Sequence, residues 1–228
     1  ATNNQIYSDY LFRNAKYDSA YYFLNKAEYY LKNTPEKLFL NTIKKVNFSF
    51  STQLIENAKF ELEKAKKLTI NTNSQKNYLI IKSIQLANAE NDKKTYDSLA
   101  KIAFEEKLLI NRQDYVLANE YDKLYFNYLL KKKQYQKVES ETSKTITQLL
   151  NEKKYNDLLF SNLFYIISSK TYSKSDSINY YMNIYSNLKG HALTNETGIL
   201  LTFLKANYYE VNHNKIKAIL YYKDVLNN

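Results

Sequence analysis

The side chains that do chemistry in most enzymes are scarce in this chain, and those present are poorly spaced for it. There are two histidines in 228 residues, His191 beside Gly190 and His213 between Asn212 and Asn214. Neither has a His, Cys or carboxylate at the ligand spacing of a motif such as HExxH, so no metal centre is expected. Both fall at expected helix junctions, where a capping or surface role suits an imidazole. Glu105-Glu106 are adjacent and Glu61 and Glu63 are two apart. On a helix only residues three or four apart share a face, so neither pair converges for acid–base work. There is no cysteine, which excludes disulfides, thiolate metal sites and Cys nucleophiles. Two glycines are too few for a phosphate loop, and no nucleophile elbow is present. The expectation is a protein that is not an enzyme and uses no metal or cofactor.

Recognition is the chemistry that remains, and it depends on the elements that carry it. Two Gly, Gly190 and Gly198, and one Pro, Pro35, cannot punctuate a sheet protein of this length. Hairpins and Rossmann turns need Gly to reach positive φ. The chain is therefore expected to be all-α. Hydrophobic content of 44% and aromatic content of 15% allow a real core. Thr34-Pro35-Glu36 reads as a helix start, with an N-cap, Pro at the first position and an acid in the first turn. Ser74 before Gln75 and Ser175-Asp176 read as further starts.

One pattern recurs. Ala20, Leu24 and Ala27 place small residues two turns apart on one helix face with a large residue between. Ala58, Leu62, Ala65 repeat it, then Tyr96, Ala100, Ala103, then Val138, Thr142, Thr145, then Ser177, Tyr181, Ile184, then Ala218, Tyr222, Val225. The interval is 38 to 42 residues. Small residues admit a neighbouring helix closely, and a helix pair of this kind buries its apolar face only by stacking on another pair. Six pairs follow, at about 1–34, 35–72, 73–110, 111–151, 152–190 and 191–228, taken as a single helical-repeat domain. With so few Gly, corners built from Asn, Ser, Thr and Lys are expected to take extra residues and to lengthen the repeat.

Net charge is +10, but only Arg13 and Arg112 of the 33 basic residues are arginines. The surplus is spread along the chain, with no dense basic patch. Arg is favoured for bidentate phosphate contacts, so a nucleic-acid-binding repeat is a secondary alternative. No apolar run is long enough to span a membrane. Adjacent tyrosines such as Tyr21-Tyr22, Tyr29-Tyr30 and Tyr180-Tyr181 point 100° apart on a helix, and most Tyr are expected in the core with wet phenol tips.

Tyr7-Ser8, Leu11, Tyr17, Ala20, Leu24 and Ala27 resemble a tetratricopeptide repeat (TPR), as does Lys217-Ala218-Ile219-Leu220-Tyr221-Tyr222. The match departs from the family in its longer repeat and in Asn4, where the family usually has Trp. The resemblance implies a right-handed α-α superhelix whose first helices line a concave, peptide-binding surface. Carried over residue by residue, the groove candidates are Arg13, Asn47, Phe50, Tyr78, Gln85, Lys123, Asn127, Lys131 and Asn207. Wider positions on the same helices are Gln5, Asp9, Phe12, Ile43, Ile81, Asn162, Ile166, Lys170 and Phe203. Asn and Gln side chains both donate and accept, so they pair with peptide main chain whatever its sequence. Lysines would draw an acidic segment. The style of the repeats resembles the TPR region of bacterial membrane-anchored transcription regulators and sensors. That implies a protein or peptide partner, a further domain of the same chain and, for a trimmed sensor region, the periplasm slightly ahead of the cytoplasm. Ending at the second helix of a pair implies either a continuation beyond Asn228 or self-association through an uncovered apolar end, the structural alternative.

Overall fold

The computed structural model describes residues 1–68, 72–106, 108–173, 177–188 and 195–226. Every regular element among them is helical, and they include twelve α-helices. None of these helices is long and apolar enough to cross a membrane. The contacts divide the chain into two compact units, Ala1–Asn111 and Arg112–Asn228.

The first unit contains α1 (Thr2–Arg13), α2 (Tyr17–Leu31), α3 (Pro35–Ser51), α4 (Ile55–Lys67), α5 (Asn73–Ala89) and α6 (Lys93–Ala100). A π-turn over Lys101–Glu105 continues α6. Thr34 and Pro35 start α3 as the sequence suggests. The start of α5 differs: the Thr72 hydroxyl, not Ser74, accepts from the Gln75 amide, because an N-cap must sit outside the helix to reach the N3 amide. The start expected at Ser175-Asp176 lies outside the described residues.

Ala20, Leu24 and Ala27 of α2 are fully buried, as are Ala58, Leu62 and Ala65 of α4. Leu24 and Ala20 pack with Leu11 of α1 and Phe48 of α3. Leu62 and Ala58 pack with Val46 of α3 and Leu86 of α5. Each second helix is thus gripped by its own first helix and by the next one, so a pair completes its core only with a neighbour. Polar contacts pin the same seams. The Ser8 hydroxyl donates to the Ala20 carbonyl at 2.8 Å, and Asn41 Nδ2 donates to the Leu24 carbonyl at 3.1 Å.

The second unit contains α7 (Tyr115–Lys131), α8 (Tyr135–Asn151), α9 (Asp157–Tyr172), α10 (Ile178–Leu188), α11 (Asn195–Val211) and α12 (Lys215–Leu226). Here α9 is the centre. It packs against α7, α8, α10 and α11, and is buried nearly all round, as expected of a helix with apolar residues on every face. Two expected registers slip by one residue. In α10 the buried set is Ile178, Met182 and Tyr185, while Ser177 is exposed. In α8, Val138 and Thr142 are buried, but Ile146 completes the set instead of Thr145. Larger side chains fill the layer there, so the residues that touch the neighbour are the apolar ones, whatever their size.

The corners overturn the expectation of long Gly-free turns. Five corners inside helix pairs span only three residues each: 14–16, 52–54, 90–92, 132–134 and 212–214. Each places a non-glycine at positive φ: Ala15, Gln53, Asn91, Lys133 and His213. Lys153 does the same between α8 and α9. Two backbone bonds close every one. At the first, the Lys16 amide donates to the Leu11 carbonyl at 2.9 Å and the Ala15 amide to the Phe12 carbonyl at 3.0 Å. This is the Schellman arrangement, in which a left-handed residue lets the chain cap its own helix. The repeat is long because the helices are long, with 17 residues in α3, α5, α7, α8 and α11. Ala15, Gln53 and Asn91 lie 38 residues apart, Lys133 follows after 42 and His213 after a further 80. The backbone therefore repeats at the interval of the sequence pattern.

Candidate functional site

The corner supplies a register for the expected recognition residues. Asn47, Gln85, Asn127 and Asn207 each stand two residues before the carbonyl that closes a corner: Ser49, Ala87, Leu129 and Tyr209. Asp9 holds the same place before Leu11. In the first unit this puts Asp9, Asn47 and Gln85 at equivalent points of α1, α3 and α5, all half-exposed. Lys44 Nζ donates to Asp9 Oδ2 at 2.8 Å, and Lys82 Nζ to Gln85 Oε1 at 3.0 Å. In the second unit the Tyr222 hydroxyl, with one proton, lies 2.6 Å from Asn207 Oδ1 and 2.5 Å from Glu210 Oε2, and Asn127 is exposed and hydrogen-bonded to Tyr165. The bonds to Gln85 and Asn207 use the amide oxygen, and each side chain also carries an NH₂ donor pair.

Other expected positions are placed differently. Tyr78 is only 6% exposed and belongs to the packed interior. Phe50 packs against the Val46–Leu62 cluster. Ile43, Ile81 and Ile166 are buried. These positions face the packed interior, whereas Asn47 on α3 and Gln85 on α5 stay half-exposed. Arg13, Lys123 and Lys131 are exposed. Arg13 sits in the last turn of α1, where a cation complements the helix dipole. His191 lies outside the described residues, and His213 takes the left-handed corner place.

The aromatic concavity lies elsewhere, on the second helix of the first pair. A cavity of about 330 Å³ opens between the end of α1, the first turns of α2 and the α3–α4 corner. Phe12, Tyr17, Tyr21, Tyr22 and Phe48 form its walls. Phe12 stacks on Phe48 with ring centres 3.8 Å apart and meets Tyr17 edge-on at 5.2 Å. Tyr21 is half-buried while Tyr22 is 61% exposed, the division expected for neighbours 100° apart. Tyr7, Tyr10, Tyr17, Tyr29, Tyr30, Tyr172 and Tyr180 are also exposed, while most of the other tyrosines are buried or half-buried.

No protein-family model, curated protein or solved structure matches this chain. Its chemistry must be read from its own geometry.

Behind the cavity lies a buried charge network. Lys45 of α3 is 1% exposed and pairs with Glu28 of α2 and with Glu61 of α4, the latter at 3.5 Å. Lys64 also pairs with Glu28. The Tyr21 hydroxyl donates to Glu61 Oε1 at 3.0 Å. Burial and the Glu61 charge push the Tyr21 phenol well above its ordinary value. Burial works to raise the Glu28 carboxyl, but hydrogen bonds from Lys45 and Lys64 overcome it and hold the group below its ordinary value.

The second unit buries an anion. Asp122 of α7 is fully buried, accepting from Arg112 at 2.7 Å and from Asn162 Nδ2 of α9 at 3.1 Å. Desolvation outweighs both and pushes its carboxyl up. Among the described residues no group of three or more acidic or histidine side chains is placed to hold a metal ion. Sequence reasoning missed Lys45, Asp122 and most of the cavity wall. Phe12, placed among the groove positions, and Tyr21-Tyr22, placed just after a corner, were the visible signals.

Proposed function

We propose that this chain is a non-enzymatic scaffold of TPR-like helix pairs, wound right-handed within each unit, that binds a protein or peptide segment across successive first helices. The observation that carries the reading is the repeated register of Asp9, Asn47 and Gln85 in the first unit, echoed by Asn127 and Asn207 in the second. Side chains at one point of each repeat, spaced by one helix pair, suit an extended chain whose peptide groups also recur at regular intervals. The NH₂ group of such an amide donates to a main-chain carbonyl without selecting a side chain. The surrounding exposed lysines, Lys123 and Lys131 among them, favour acidic segments. Such a module suits the sensing or interaction region of a bacterial regulatory protein, with its output in another domain.

The test is a selection from a random peptide display library against the whole chain, with amide NMR shifts mapping the winners. Peptides that converge in sequence and perturb α1, α3 and α5 around Asp9, Asn47 and Gln85 support the reading. Failure to converge, or shifts confined away from the first helices of both units, contradicts it.

A further inference from the structure

The aromatic cavity on α2 has a chemistry distinct from the amide register, and that chemistry selects one kind of ligand. Five of its lining residues are aromatic: Phe12, Tyr17, Tyr21, Tyr22 and Phe48. The faces of such rings are electron-rich and attract cations. Asp18 at the rim is acceptor-only when ionised. No Lys, Arg or His is among the described residues that line the cavity, in a chain of net charge +10. Two hydroxyl groups of the wall have their protons already committed. Tyr21 donates to Glu61 at 3.0 Å, and Thr52 donates to the Phe48 carbonyl at 2.8 Å. Neither hydroxyl proton is therefore offered to a ligand. Asn25 and Asn57 add two amide groups at the edge, each able to turn its carbonyl to a ligand. The wall thus offers π faces, one carboxylate and no cationic side chain.

One ring already shows the preference. The Lys45 ammonium lies 5.6 Å from the centre of the Tyr21 ring, with its charge balanced by Glu28 and Glu61. The cavity volume of about 330 Å³ is at the small end of the range for ligand sites and suits a single side chain better than a folded partner. A ligand that is cationic, can donate N–H groups to Asp18 and the Asn carbonyls, and is flat enough to lie on an aromatic face fits this wall. An ammonium meets the first demand, but a planar guanidinium with five fixed donors meets all three.

We infer that this cavity is a binding cup for an arginine side chain presented by a partner protein segment. The inference rests on the scaffold reading above and adds a selective anchor to it: the amides hold main chain, and the cup chooses the residue. Long-range repulsion by the net positive charge does not prevent this, because charges beyond roughly 10 Å are screened at physiological salt.

The test uses the whole chain and three small probes: N-acetyl-arginine amide, its citrulline counterpart and its leucine counterpart. Citrulline keeps the shape of arginine and lacks the charge. Backbone amide signals are followed in titrations at near-physiological salt. The arginine probe should shift residues 12–25 and 48–57 saturably, with a dissociation constant on the order of millimolar for so small a ligand. Citrulline should bind roughly tenfold more weakly, and leucine should not compete. Tyr22→Ala and Asp18→Asn should each weaken the arginine probe several-fold, while Tyr29→Ala, on the same helix outside the cup, should not. Tyr22, Asp18 and Tyr29 are exposed, so the variants should keep the parent's circular dichroism. Equal binding of citrulline or leucine, shifts that map elsewhere, or an unaffected Tyr22→Ala variant would overturn the assignment. The two readings fail separately. Selected peptides that lack arginine and leave the cup unperturbed would sink the cup alone. An arginine probe that fills the cup, with no peptide selected on the first helices, would sink the scaffold reading alone.

Discussion

Each unit holds a buried charged side chain, and the two are met by different partners. In the first, Lys45 is a buried cation surrounded by what it needs: Glu28, Glu61 and the Tyr21 ring. In the second, Asp122 is a buried anion served by one amide and by an arginine that is itself 44% exposed. The Lys45 network holds the Glu28 carboxyl below its ordinary value, whereas the Asp122 carboxyl is pushed up. The difference sets desolvation against partners: Glu28, partly exposed and met by two lysines, falls, and Asp122, fully buried with one partly exposed arginine and an amide, rises. It also means that the units should answer acid differently. Glu28 is depressed, so its contribution is present above its unfolded value near 4.5 and is lost as pH falls through the folded value. Asp122 is raised, so its contribution is present below its unfolded value near 3.8 and is lost as pH rises through the folded value.

Five substitutions break or sharpen that comparison. The largest effect belongs to Lys45→Met, which leaves Glu28 and Glu61 beside an apolar neighbour. It should cost the first unit about 3–5 kcal/mol, the usual penalty for removing one partner of a buried pair. Urea denaturation followed by residue-resolved NMR should show that loss in residues 1–111 and little change in 112–228. Leu62→Ala should cost about 2–5 kcal/mol in the same unit by opening a cavity between α3, α4 and α5. A loss equal to that of Lys45→Met would mean that the charge network matters no more than packing. Asp122→Asn should change stability at neutral pH by no more than about 1 kcal/mol, in either direction, because Arg112 is largely solvated and an amide still meets Asn162. Its signature is in pH: the loss of second-unit stability as pH rises through the carboxyl's folded value should disappear. Denaturation midpoints across acid to neutral pH would show it, and an unchanged pH profile would remove Asp122 from the account. The smallest effect is a gain. Ala15→Gly in the first unit and Lys133→Gly in the second should each stabilise by about 0.5–1 kcal/mol, because both residues sit at positive φ. Thermal melts would reveal it, and equal gains would show that the corners, unlike the charges, work alike in both units.

How much of this was legible in sequence depended on locality. Ala20–Leu24–Ala27 and Ala58–Leu62–Ala65 announce their helices because small residues at seven-residue spacing mean close approach. The same rule misplaced α10 by one residue, since Ile178, Met182 and Tyr185 fill the layer with bulk. The corners hid because Ala15, Gln53 and Lys133 are not residues that signal a left-handed turn. Lys45 and Asp122 hid because a charge in sequence reads as surface; only α2 and α4 around Lys45, and α9 beside Asp122, make them interior. The cup hid for the same reason, since Phe12, Tyr21, Phe48 and Asn57 come from four helices. The amide register was visible, because its period is the period of the chain.

The central claim is that the repeated amides of the first helices hold a protein segment. It is tested most directly by the affinity of a selected peptide for the double variant Asn47→Ala, Gln85→Ala, with the urea midpoint as a check on the fold. The account predicts a loss of about tenfold or more, the sum of two hydrogen bonds of about 1 kcal/mol each. Unchanged affinity on an intact fold would contradict it.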